Sequence, residues 1–592
     1  MRLSRGFAVL ARLAMFAVLA GHSSQAHAES GETLPFSIGY GGEGYQRGLI
    51  EHALKANHLN VAPDPEGKTI ERIVVVPFDV ITQEEPWPQF LNWFHSTTKP
   101  YVIQRELLFK EGDAWNTSRV RETARNMRSY LFITAATVTP VQGSRPDRVV
   151  ALVVTKDMWS LRTDFSFSYV GSIIEAFDLQ ASEQNLTGRM KQITADVGFN
   201  IASAYAGQQY RDPRLLGSQL LLQERGDLIW NRSSGRLEGG VANLSLNQPL
   251  YTLDTPWSWG GSLNFRNDIY RLFSNGAIAA IRAPSTGEAL PYAFNRRLLD
   301  FQAGVTRSLG RERKRNISAG YRAFTHTFSM LAAPGPVQSA TVNQVQASIL
   351  PRSENVGQLY FGYRAYQAEF KELLDLNTYA LTEDTRIGYD LSAELRYANP
   401  ALGFSSTFFE PVLGASWTFY GGEDLFRVGS SLDIRYQPQL STESPWANGE
   451  LTIFARNVTP KLRFFRLHTA FEATRRYNNV DRSFSTLGAN NSLRGYPSSY
   501  LMGTNLWLGN IEARSIPLVL ATMHIGIATF MDIGSAADRV SDLTPHASVG
   551  AGLRIALPQF NREVIRVDLG FPLERLVGAD PAYVVAQFGQ AF

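Results

Sequence analysis

From Leu161 onward the sequence repeats one pattern, short segments in which apolar and polar side chains alternate. Leu161, Thr163, Phe165, Phe167 and Tyr169 alternate with Arg162, Asp164, Ser166 and Ser168. Ile193, Ala195, Val197, Phe199 and Ile201 alternate with Thr194, Asp196, Gly198 and Asn200. Tyr389 to Tyr397 and Leu467 to Ala473 read the same way. A period of two means strands with one apolar and one polar face. A soluble sandwich would bury that apolar face, but three features point to lipid. The strands recur without helical interruption. Trp159, Tyr169, Tyr389 and Tyr397 stand near strand ends, where interfacial belts lie. The last segment, Tyr583–Phe592, is an apolar strand closing on an aromatic residue. Only a closed ladder satisfies every backbone group of a sheet in lipid. The expectation is a transmembrane antiparallel β-barrel over residues 161–592, with about 16 strands at roughly 27 residues per strand and connection.

The N-terminus accounts for export. Arg2, Arg5 and Arg12 precede the apolar run Leu13–Ala20, and Ala26-His27-Ala28 supplies a small-residue cleavage site. That run is short for a membrane span, so residues 1–28 read as a signal peptide. No apolar run long enough for a helical span follows. The chain has no cysteine and a net charge of only +3, which gives no basis for a disulfide scaffold or a nucleic-acid surface. Residues 29–69 read as a leader and linker, with a short helix around Tyr45 to Leu59. Gly67-Lys68-Thr69 imitates the end of a phosphate-binding loop, but Ala62 stands where the first glycine is required, and prolines fill the loop.

Residues 70–160 read as a compact α+β domain. Ile70–Phe78 is an apolar strand, Val102–Phe109 a short helix, and Ser118 caps a second helix with Val120, Ala124, Met127 and Leu131 on one face. Thr134–Val141 and Val149–Thr155 form an antiparallel pair.

No enzyme motif is present: there is no H-E-x-x-H, no nucleophile elbow and no cysteine ligand. His468, among Arg466 and Glu472 on a polar strand face, reads as a lumen side chain. The expectation is a protein without catalytic, metal or cofactor sites. The informative residues lie in the C-terminal third. Leu493-Arg494-Gly495-Tyr496 sits in a long loop between Tyr477 and Thr504, and Phe530-Met531-Asp532-Ile533-Gly534 lies on a strand.

In these two elements the sequence resembles the POTRA-and-barrel outer-membrane superfamily, the bacterial surface antigen family. It includes the BamA- and TamA-type assembly insertases and the TpsB-type secretion pores. The resemblance implies that the Leu493, Arg494, Gly495 and Tyr496 loop folds back inside the barrel as a plug. It also implies that Phe530, Asp532 and Gly534 form a wall element whose aspartate receives Arg494. An arginine lowered into a lumen needs a carboxylate, and its planar fork suits a bidentate pair. Residues 70–160 resemble a single POTRA domain, with Arg105–Asp113 at its typical helix-to-turn junction. Three departures stand out: Ala489 replaces a common glycine, only one POTRA domain is present, and Gln590 interrupts the terminal apolar face between Phe588 and Phe592.

The resemblance implies an outer-membrane protein with its POTRA domain in the periplasm, assisting assembly or insertion of proteins into the outer membrane. The alternative is a two-partner-type pore that passes a polypeptide across that membrane. Implied partners are an unfolded or partly folded polypeptide client, outer-membrane lipid and periplasmic accessory proteins, and no nucleic acid. Thr134–Val141 is the expected exposed sheet edge for a client strand. The seam between Leu161–Val170 and Tyr583–Phe592 is the expected weak point of the barrel.

Overall fold

The computed structural model describes residues 45–592 apart from 83–86, 131, 171–172, 275, 333–334, 380, 403–406, 440–443, 490–492, 521–522 and 576–580. The signal peptide, the start of the leader and Leu131 lie outside the described residues.

The N-terminal domain is built on three strands: β1 (Thr69–Phe78), β2 (Ile133–Gln142) and β3 (Arg148–Asp157). β3 is central, parallel to β1 and antiparallel to β2. The first helix after β1 spans Pro100–Arg105, earlier and shorter than the sequence pattern implied, because Pro100 presets its first turn. The second spans Thr117–Arg128. Its cap is Asn116, whose side chain accepts from the Arg119 N–H at 3.0 Å, and not Ser118, which already lies inside the helix. Val120, Ala124 and Met127 are buried as expected. The helix Tyr45–Ala56 is no loose leader: Leu49 and Ala53 pack with Ala135, Val141, Val150, Leu152 and Val154 in the domain core.

The expected open edge at β2 is closed. β2 is the outer strand by topology, yet residues 133–141 are all buried. Ala62 N–H donates to the Pro140 carbonyl at 3.0 Å, Gln142 N–H to Asn60 at 2.8 Å, and the Arg128 guanidinium to the Ala136 carbonyl at 3.2 Å. The other edge, β1, is more open. There the Glu111 carboxylate accepts from the Ile73 N–H at 3.0 Å, and Pro77 has no N–H to offer.

The rest of the chain forms a closed antiparallel barrel of 20 strands, correcting the expectation of about 16, and a helix, Ser339–Ile349, interrupts the run of strands. Two strands are interrupted, Glu354–Gln367 continuing as Glu369–Leu374 and Asn505–Ser515 as Leu518–Leu520. The division by length overestimated the connections. Gly421 faces Asp424 across a two-residue turn, and three residues join Ala293–Leu309 to Arg313–Met330. The alternation is read correctly: Ile193 and Val197 are 45% and 46% exposed on the outer wall, while Thr194 and Asp196 are 3% and 1% exposed on the inner one. Among the described residues no helix is long and apolar enough to cross a membrane.

Two features bear on function. Among the described residues the barrel closes through two residue pairs, Ser168 with Val585 and Phe167 with Ala586. The ladders on either side pair six and ten residues. The domain is also clamped against one mouth of the barrel. Arg128 donates to both oxygens of Asp384 at 2.9 and 2.7 Å and to Glu372 at 2.9 Å. Arg214, in a connection between barrel strands, donates to Glu106 at 2.8 and 2.6 Å. Arg311 reaches Glu122 at 3.1 Å. The Tyr130 hydroxyl donates to Glu106 at 2.9 Å, and burial beside that carboxylate holds its pKa well above the ordinary phenol value.

Candidate functional site

Asn505–Ser515, Met523–Ala537, His546–Ala556 and Ile565–Pro572 are successive neighbours in the barrel wall. Their apolar positions face outward, with Ile511 50%, Met531 41%, Leu553 40% and Val567 40% exposed. By the same period, Asn510, Glu512, Arg514, Asp532, Arg554, Arg566 and Asp568 point inward, and all are buried. Lateral register brings them together: Asn510 stands opposite Asp532, Asp532 opposite Ser548, and Arg554 opposite Arg566.

The loop between Tyr477 and Asn505 brings Arg494 onto this patch. Arg494 is 1% exposed. Its Nε and Nη2 donate to Oδ2 and Oδ1 of Asp532, each at 2.8 Å, and its backbone N–H reaches Oδ2 at 3.0 Å. Nη1 donates to Glu512 at 2.6 Å and to Asp568 at 3.0 Å. The guanidinium carbon lies 3.5 Å from the centroid of the Phe530 ring, a cation–π contact. The bidentate pair is therefore present, within a larger network. Arg514 and Arg554 both donate to Glu512, at 2.7 and 3.2 Å, and Arg554 and Arg566 both donate to Asp568.

The neighbours of Arg494 explain their identities. Gly495 has φ +98°, and a Cβ there would lie 2.9 Å from that of Ser548 and 3.0 Å from the Phe571 backbone. The Tyr496 ring is buried, and its hydroxyl donates to the Ala547 carbonyl at 2.9 Å. Leu493 and Tyr496 pack with Leu487 and Leu506. Gly534 makes room for Leu487, whose Cδ1 would stand 3.0 Å from a Cβ at that position. Ala489 keeps a negative φ, so its side chain is accommodated without backbone strain. His468 is buried on the inner wall, opposite Glu512 on the neighbouring strand.

Sequence reasoning missed Glu512, Asp568 and the three wall arginines. Their signal was spacing: Asn510-x-Glu512-x-Arg514 and Arg566-x-Asp568 place like-facing polar groups two apart on strands whose other face is apolar. The C-terminal strand is also shorter than expected. It spans Tyr583–Phe588 and ends at Gly589, whose φ is +88°. Phe588 packs edge-on against Phe165 across the seam, 5.6 Å between ring centroids.

A closed antiparallel barrel with an inward loop held to its wall by a buried arginine–carboxylate cluster is the architecture of an outer-membrane β-barrel protein. The chain belongs to the Omp85 superfamily, whose domain model matches residues 231–591. Solved structures similar to it include BamA from Haemophilus ducreyi lacking POTRA domains 1-3, at 12% identity over 88% of this chain and 83% of that one, with a TM-score of 0.34. CdiB from Acinetobacter baumannii matches at 12% identity over 90% and 77% of the two chains, with a TM-score of 0.38. CdiB from Escherichia coli matches at 10% over 88% and 77%, with a TM-score of 0.40. No curated protein matches the chain.

Proposed function

We propose that this protein assists assembly or insertion of polypeptide clients into the outer membrane by parting its barrel seam, with residues 70–160 acting as a periplasmic POTRA domain. The observation that carries this reading is the two-pair seam beside ladders of six and ten. A strand edge exposed there offers backbone donors and acceptors to a client strand, which then enters lipid already paired. The occupied lumen supports the same reading. A chain threading through it would have to displace both the plug loop and the clamped domain. A secretion pore remains the second reading, favoured by the polar inner wall that a hydrated passage requires.

Ser168 and Val585 face each other across the seam, and the chain has no cysteine of its own. A Ser168→Cys/Val585→Cys protein locked by a disulfide or a short bis-thiol linker should lose client assembly, seen as outer-membrane proteins missing from the proteome as after depletion. Reduction should restore them. If the locked form still supports assembly, or if secretion of a polypeptide continues unchanged with the seam closed, the lumen is the route and the pore reading replaces this one.

A further inference from the structure

Gln590 is the residue that breaks the apolar pattern of the terminal strand, and the structure gives it a partner. After Gly589 the chain leaves the wall and turns inward, the Gly589 N–H donating to the Val564 carbonyl at 2.9 Å. The Gln590 Oε1 then accepts from Arg554 Nε at 3.1 Å. Two residues on, the Phe592 carbonyl accepts from Arg514 Nη2 at 3.4 Å, with the Arg514 guanidinium 5.5 Å from the Phe592 ring centroid.

Arg554 and Arg514 are the same arginines that hold Glu512, and Arg554 also holds Asp568. Glu512 and Asp568 in turn hold Arg494 of the plug loop. A short path of charged hydrogen bonds therefore runs from the segment behind the seam strand to the plug tip. Such support matters at the seam strand, whose ladder to Leu161–Val170 has two pairs among the described residues. Among the described residues Gln590 Nε2 is buried without a partner, so the docked segment is incompletely satisfied.

We infer that residues 589–592 form a latch that couples seam closure to the seating of the plug loop. With Arg494 seated, Glu512 and Asp568 orient Arg514 and Arg554 to hold Gln590 and Phe592, and the last strand stays closed. When the plug leaves, those arginines turn to the carboxylates it vacates, the latch loosens and the seam parts. Coupling of this kind is reciprocal, so opening the seam equally weakens the plug. The inference concerns the isolated folded barrel and stands apart from which client, if any, uses the seam.

Val585 is 6% exposed, so a Val585→Cys protein reports seam opening through its rate of labelling by a water-soluble maleimide. The measurement uses the full chain in liposomes, with a heat-dependent gel shift showing that each variant is a folded barrel. Gln590→Leu should raise the labelling rate about five-fold, and Gln590→Glu, which brings a carboxylate to Arg554, should lower it below the parent. Asp532→Asn, which loosens the plug from a distance, should also raise the rate. In that background the Gln590→Leu factor should fall toward one. An unchanged rate in a well-folded Gln590→Leu barrel, or the same factor in both backgrounds, would overturn the latch without touching the seam reading itself.

Discussion

The Arg494 guanidinium and the Asp532 carboxylate form two parallel hydrogen bonds of 2.8 Å each, and the Arg494 backbone N–H adds a third to the same group at 3.0 Å. Backbone and side chain of one residue are thus fixed by one carboxylate, which sets the position and the rotation of the loop tip together. Breaking a buried pair is costly because a charge is left without compensation.

The two partners are not equivalent. Among the described residues Asp532 is held by Arg494 and Asn510, whereas Arg494 also holds Glu512 and Asp568. Arg494→Ala should release the loop outright, at about 3–5 kcal/mol of anchoring. Asp532→Asn should cost about 1.5–3 kcal/mol, the value of hydrogen bonds to a charged group. The double variant should be little worse than Arg494→Ala alone, since residues in one network are not additive. Protease access at the loop near Gly488 measures all three. Equal effects of the two single variants would show that Glu512 and Asp568 do not hold the arginine.

The barrel itself predicts a gel behaviour. With its strands closed into one barrel, the folded form should resist detergent and migrate faster unheated than boiled, and it should fractionate with the outer membrane. Recovery as a soluble periplasmic protein with no heat-dependent shift would contradict a closed barrel.

What could be read in advance was local. Ile193 to Ile201 show their two faces within nine residues, so alternation and the barrel were legible, whereas the Arg494–Asp532 pairing was implied only by the family resemblance. Strand number was not, because it depends on turns as short as the one between Gly421 and Asp424. Nor was the cluster around Arg494. Asp568 lies 74 residues away from it, and their meeting depends on lateral register across strands and on how deep the loop descends. The closure of the β2 edge was equally invisible, since Arg128 and residues 60–62 reach it from other elements.

The clamp between domain and barrel should depend on Arg128. It is 3% exposed and joins Asp384, Glu372 and the Ala136 carbonyl. Arg128→Ala leaves two carboxylates without their cation, an expected loss of about 3–5 kcal/mol for the contact, at the lower end because Glu372 is partly wet. Hydrogen exchange should then rise in 369–384 and in β2 together, while the gel shift of the barrel persists. Exchange rising in β2 alone would mean that the arginine serves the domain and not the clamp.

The last prediction concerns the sheet edge. Val138 is 2% exposed within β2, so a proline there removes a donor from a covered strand and should unfold the domain, with broad loss of exchange protection over residues 69–157. It therefore cannot test client pairing. β1 can. The Ile73 N–H points away from β3 to Glu111, and the two-residue period points the Val75 N–H the same way. Val75→Pro removes that outward donor and spares the inner ladder to β3. If a client strand adds to β1, Val75→Pro should reduce client assembly while the domain keeps its exchange protection and the barrel its gel shift. Glu111→Ala, which frees the Ile73 N–H, should act in the opposite direction and strengthen client crosslinking to β1. Normal assembly in a folded Val75→Pro protein would show that β1 takes no strand, and that the domain works through its clamp on the barrel alone.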